Sequence, residues 1–157
     1  MQRPLTGVRV IGLEQYMSAP YCTMLLADAG AEVIKIERPG RGDPRRSIPP
    51  IVSDSQGRSV AGGFIGYNRN KKSLALNLRT EEGQKILRDL VVESDVVVEN
   101  LRPGAMDKLG LGYKEFKTIN QRLIYAAISG FGRLEGYTSS YSNRPAFDIV
   151  AEAMSGV

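Results

Sequence analysis

Val33-Ile34-Lys35-Ile36-Glu37-Arg38-Pro39-Gly40-Arg41-Gly42-Asp43 reads as a short strand that opens into a cationic, glycine-rich loop. Apolar alternation through Ile36 suits a sheet, and Pro39, which has no amide donor, ends the ladder. Arg38 is thereby left at the carboxyl edge of the strand, where open α/β sheets bind their ligands. Arg41, Arg45 and Arg46 follow on a backbone loosened by Gly40 and Gly42. Such a surface suits phosphate groups on a small ligand. Taken alone, the segment reads equally well as a solvated basic loop.

The flanking sequence turns this strand into a βαβ unit. Val8–Leu13 is an apolar run after Gly7, and residues 19–29 form a helix with Ser18 as the N-cap and Pro20 in its first turn. Gly30 stops that helix before the second strand at Glu32–Glu37, and the crossover is long enough for a parallel pair. From Arg38 to about Asn70 the pattern lapses into an irregular stretch of the kind that is functional or mobile. A third strand is expected at Ser73–Leu78, then a helix at 81–93 capped by Thr80. Asp95–Glu99 makes a fourth strand, Tyr113–Ile119 a short helix and Arg122–Ser129 a fifth strand. The helical pattern that opens at Asp148, with Asp148 as its cap, runs on to Val157. The fold class is α/β, a doubly wound, mostly parallel Rossmann-like sheet of about five strands in one domain over residues 1–157.

Composition narrows the chemistry. The chain has 157 residues, a net charge of +4, one cysteine and no histidine. That removes disulfide frameworks, zinc clusters, histidine metal sites and Ser-His or Cys-His nucleophiles, so no metal is expected. No apolar run approaches the roughly 18 to 20 residues that span a bilayer, and the amino terminus lacks a signal-peptide layout. The expectation is a cytoplasmic protein without a membrane partner. The positive charge gathers at Arg38–Arg46 and Arg69–Lys72 and favours anionic partners.

A dinucleotide fingerprint is absent: Gly12-Leu13-Glu14-Gln15-Tyr16 stands where G-x-G-x-x-G would, and there is no P-loop. Phosphates would have to be held by cationic side chains and loop amides. Asn100, at the end of the fourth strand, can hydrogen-bond a ligand amide or purine edge, and Lys108 can meet a phosphate as a point charge. Equally, Asn100 can shape its own loop and Lys108 can be solvated. Tyr16, Met17 and Ser18 follow the first strand, where they would wall a thioester arm or pack the turn.

Several motifs together resemble the class III CoA-transferase family, which includes formyl-CoA and carnitine-type CoA-transferases and the α-methylacyl-CoA racemases. They are Pro4-Leu-x-Gly7, the Val33–Asp43 stretch, Asn68-x-x-Lys71-x-Ser73-x-x-Leu76 and Val98-Glu-Asn-x-Arg-Pro-Gly104, followed by Leu109-Gly-Leu-Gly-Tyr113, Ser129-Gly-Phe-Gly132 and Arg144-Pro-x-x-Asp148. The resemblance implies CoA or acyl-CoA as substrate, with a small carboxylic acid as the other partner. It implies a CoA site at Tyr16, Met17, Ser18, Arg38, Leu76, Asn100 and Lys108, the last standing where the family usually carries arginine. Phe147 replaces the racemase branch's histidine, so racemisation is not expected. The family's nucleophilic aspartate is expected beyond Val157, leaving residues 1–157 as an incomplete large domain that binds CoA without turnover. Interlocked homodimers are implied as well. A non-catalytic CoA or nucleotide module is the alternative; a nucleic-acid binder ranks last because aromatic residues rarely interleave the basic loops.

Overall fold

The computed structural model describes residues 2–133 and 136–156. Val157, to which the sequence reading extends the last helix, lies outside them. The described residues contain seven strands: β1 (Arg9–Leu13), β2 (Glu32–Glu37), β3 (Ile51–Ser53), β4 (Ser59–Ala61), β5 (Lys71–Ala75), β6 (Val96–Glu99) and β7 (Ile124–Ala127). Five helices accompany them: α1 (Ser18–Asp28), α2 (Gly62–Asn68), α3 (Glu81–Val92), α4 (Tyr113–Ile119) and α5 (Asp148–Ser155). The main sheet runs β5-β2-β1-β6-β7 with every pairing parallel. This is the expected α/β sheet of five strands, built outward in both directions from β1. Among the described residues no helix is long and apolar enough to cross a membrane.

Strand alternation divides the core into two layers. Ile11, Leu13, Ile36 and Val97 face one side, where they pack with Leu87 and Val91 of α3 and Phe116 of α4. Val10, Val33 and Val98 face the other and pack with Ala19 and Ala27 of α1. Burial of these side chains, worth about 1.5–3 kcal/mol for each large one, holds the helices on both faces.

Several local expectations are corrected. The stretch 38–70 is organised: a 3-10 turn at Pro44–Ser47, an antiparallel hairpin of β3 and β4, and α2. The glycines of Gly62-Gly63-Phe64-Ile65-Gly66 hide α2 from propensity reasoning, and at Gly63 the missing Cβ leaves the space that the Arg45 guanidinium occupies. The third sheet strand begins at Lys71, two residues earlier than expected, since Val33 of β2 pairs with Lys71 in register. Met17, not Ser18, is the N-cap of α1 and makes no side-chain cap bond. Asp148 is the first residue of α5, behind Phe147 as N-cap, and does not cap it. Thr80 does cap α3, its Oγ1 accepting from Gly83 N–H at 3.2 Å.

Candidate functional site

The strand order reverses at β1, between β2 and β6, and a crevice of about 1460 Å³ opens there over the carboxyl ends of the sheet. Tyr16, Met17, Ser18, Arg38, Leu76, Asn100 and Lys108 all line it. Those seven residues come from four different loops, and parallel topology is what brings them to one edge.

Asn100 is not free to serve a ligand with its whole amide. Its Nδ2 donates to Gln15 O at 2.8 Å and to Ser18 Oγ at 3.1 Å, and its Oδ1 accepts from Gln15 N–H at 2.8 Å. The side chain thereby pairs with the Gln15 backbone as a strand would, locking the β1 and β6 loops together across the switch point. One lone pair remains on Oδ1.

Beneath the loops lies a buried ionic cluster that pattern reasoning missed. Lys35 Nζ donates to Asp43 Oδ2 at 2.8 Å, to Glu14 O at 3.2 Å and to Glu14 Oε1 at 3.4 Å. Lys71 Nζ donates to Glu14 Oε1 and Pro20 O, both at 2.8 Å, and to Asn68 Oδ1 at 3.2 Å. Thr23 Oγ1 donates to Glu14 Oε2 at 2.6 Å. Two carboxylates and two ammonium groups balance, and each ammonium has three acceptors, which is what makes burial of such charges tolerable. Burial still pushes the Lys71 ammonium below its ordinary pKa, against the attraction of Glu14. Gly12 makes room: a Cβ there would lie 2.9 Å from Glu14 Cδ. The available signal was Gly12 two residues before Glu14 on one strand face.

The basic loop divides into committed and uncommitted cations. Arg46 binds Glu37 with two bonds of 2.7 Å and stacks 3.8 Å from the Phe64 ring centroid, so it serves the fold. Arg41 does not line the crevice, a correction to its grouping with Arg38. The Arg69–Lys72 cluster is also spent, Arg69 on Asp28, Lys71 on Glu14 and Lys72 on Glu32. Six cations do line the crevice: Arg38, Arg45, Arg79, Arg102, Lys108 and Arg144. Among the described residues none of them is in a salt bridge. Of the lining carboxylates, Glu14, Glu37 and Asp43 are buried and paired, which leaves Asp148 as the exposed one. Arg79 was missed in the sequence, although it lies in the loop after β5, four residues beyond the end of the strand.

Behind the crevice, at the end of β6 and outside its lining, Glu99 is paired with Arg133 and accepts from Leu101 N–H at 2.8 Å. Burial raises its pKa above the ordinary carboxylate range despite those bonds. The apolar lining includes Leu76 and Phe147, whose ring meets Tyr16 edge-on at 5.6 Å between centroids.

Comparison with known proteins adds an independent line. Residues 5–157 match the family model described as CoA-transferase family III. The chain is 46% identical over 153 residues to the succinyl-CoA:mesaconate CoA-transferase of Haloarcula marismortui, covering 98% of this chain and 38% of that protein. It is 42% identical over 156 residues to the mouse succinyl-CoA:glutarate CoA-transferase, covering 99% of this chain and 34% of the relative. Among solved structures, a CAIB/BAIF family protein from Brucella suis superposes with a TM-score of 0.90 at 40% identity, over 100% of this chain and 40% of the other. The chain thus spans well under half the length of the relatives it matches.

Proposed function

The chain belongs to CoA-transferase family III, and from that premise we propose that its crevice holds the anionic tail of an acyl-CoA. One observation carries the reading: six cations without carboxylate partners face a crevice whose buried carboxylates are all neutralised. CoA is a polyanion with an uncharged arm, and such a field suits it. Arg38, Arg45 and Lys108 meet phosphate oxygens, while Tyr16, Met17, Ser18 and Leu76 wall the arm. Remote binding of the tail then positions the reacting thioester.

The reaction proposed for the whole enzyme is transfer of CoA from an acyl-CoA to a small carboxylic acid. An aspartate, expected beyond Val157, attacks the thioester carbonyl; the C–S bond breaks and a mixed anhydride forms with free CoA thiolate. The thiolate attacks the aspartyl carbonyl, releasing the donor acid and leaving an aspartyl-CoA thioester. The acceptor carboxylate attacks that thioester, and the thiolate takes the acceptor's acyl group from the second anhydride. The residues present here bind and orient, and supply no nucleophile to this scheme. A homodimer and a cytoplasmic setting belong to the same reading.

Calorimetric titration of CoA into the chain tests it. Arg38→Ala is expected to weaken binding about tenfold, the loss of one charge-assisted contact. Equal affinity would remove Arg38 from the site. Supplied with succinyl-CoA and a dicarboxylate, the 157-residue chain is expected to bind without turnover; measurable transfer would put the nucleophile within these residues.

A further inference from the structure

Two loops face each other across the β1–β2 side of the crevice. One carries Tyr16 and Met17 after β1, the other Arg38 to Arg45 after β2, and a single side chain joins them. Asp43 is buried, and its Oδ1 accepts from Tyr16 N–H at 3.1 Å and from Arg45 N–H at 2.9 Å. Its Oδ2 accepts from Lys35 Nζ at 2.8 Å, and its own N–H donates to Glu37 Oε2 at 2.9 Å. Tyr16 adopts a φ of 63°, a backbone well that residues with a Cβ seldom occupy. Something outside the loop must hold it there, and Asp43 is the acceptor that its N–H meets.

Neutralising Lys35 would need only one oxygen of Asp43. The second oxygen, shared between the amides of both loops, does something different. We propose that Asp43 is a positioning residue that sets the spacing between the Tyr16–Met17 wall and the Arg38 and Arg45 cations, so that one CoA engages its arm and its phosphates together. Asp43 itself touches no ligand. Lys35 anchors it from below, and Glu14 anchors Lys35 in turn. The inference rests on the CoA reading above.

The test compares two charge-matched variants of the full chain, Lys35→Met/Asp43→Ala and Lys35→Met/Asp43→Asn. Each removes one positive and one negative charge and leaves Glu14 facing Lys71, so the interior stays balanced. They differ in whether an oxygen remains for the Tyr16 and Arg45 amides. By calorimetry the Asn variant is expected to bind CoA within about threefold of the parent, and the Ala variant about tenfold more weakly than the Asn variant. Amide hydrogen exchange should show faster exchange at Tyr16 in the Ala variant alone, with α3 and β6 protected alike in both. Equal CoA affinity of the two variants overturns the proposal. If the Ala variant does not fold, a tenfold loss in the Asn variant, which keeps the oxygen, overturns it as well. A parent chain that fails to bind CoA removes the CoA reading and this inference with it, whereas a parent that binds and two variants that match refute the positioning role alone.

Discussion

Glu37 and Glu99 close the two strands that flank β1, both are buried, and their carboxyl groups behave in opposite ways. Burial alone would raise both. At Glu37 it is overcome: Arg46 donates twice, Ser73 Oγ donates at 2.8 Å and Asp43 N–H at 2.9 Å, holding the carboxyl at about 2. At Glu99 burial wins over the bonds from Leu101 N–H and Arg133, and the Asp107 carboxylate pushes in the same direction as burial. Glu99 is both the more deeply buried of the two and the one with fewer compensating bonds, and both differences push its pKa up. The end of β2 is thus a closed ionic lattice, and the end of β6 rests on a single ion pair.

The largest consequence concerns stability. Lys35→Met leaves Asp43 without its ammonium in a dry interior and should cost about 3–5 kcal/mol. The matching change at the end of β6, Arg133→Met, should cost about 1–2 kcal/mol, because Glu99, whose pKa burial already raises, can take up a proton once its partner is gone. Urea unfolding midpoints of the two variants read the difference directly. Equal losses would mean that the two strand ends are built alike.

Acid titration sharpens the same contrast through the sign of its slope. Glu37 is depressed from 4.5 to about 2 on folding. Its contribution, about 3 kcal/mol, is therefore complete above the unfolded value and is lost as pH falls from 4.5 toward 2. Unfolding free energies of parent and Glu37→Gln should converge as pH drops from 6 to 3. Glu99 is raised, so its favourable share is present below the unfolded value and disappears as pH rises through the folded one. Glu99→Gln should therefore cost least near neutrality, about 1 kcal/mol or less. Parallel pH profiles for the two variants would contradict the assignment.

The sheet was legible because each strand carries its apolar run between recognisable stops: Gly7 and Gly30 before β1 and β2, Pro39 after β2, Thr80 ahead of α3. The position of the site followed from parallel topology, which sends every strand-end loop to one edge. Lys35 and Lys71 were not legible. Alternation in Val33-Ile34-Lys35-Ile36 places Lys35 on the face of Val33, but whether its end of that face meets water depends on α1 and α2 lying over it, and Gly62-Gly63 conceals α2. For the same reason Arg46 reads as a free phosphate ligand until Glu37 and Phe64 are found around it. Asn100 does stand at the end of its strand and line the crevice, yet its pairing with the Gln15 backbone depends on an adjacency between β1 and β6 that local pattern does not encode.

Glycines in the two loops give the finest comparison. Gly42 has a φ of 63° and Gly104 a φ of 75°, so alanine at either position must enter the left-handed region at a cost of about 1 kcal/mol. Only Gly42 carries a second penalty. A Cβ there would sit 2.7 Å from Glu37 Oε2 and 2.9 Å from Arg46 Cδ, whereas a Cβ at Gly104 meets nothing within 4 Å. The Glu37 carboxylate cannot swing aside, because four donors hold it. Gly42→Ala should therefore cost about 2 kcal/mol against about 1 kcal/mol for Gly104→Ala. In the Gly42 variant the hydrogen bond from Asp43 N–H to Glu37 is the first to stretch, so CoA affinity should fall along with the unfolding midpoint. Gly104→Ala should lower the midpoint alone, and matched losses of affinity would show that the loop after β6 is as tightly coupled to the site as the loop after β2.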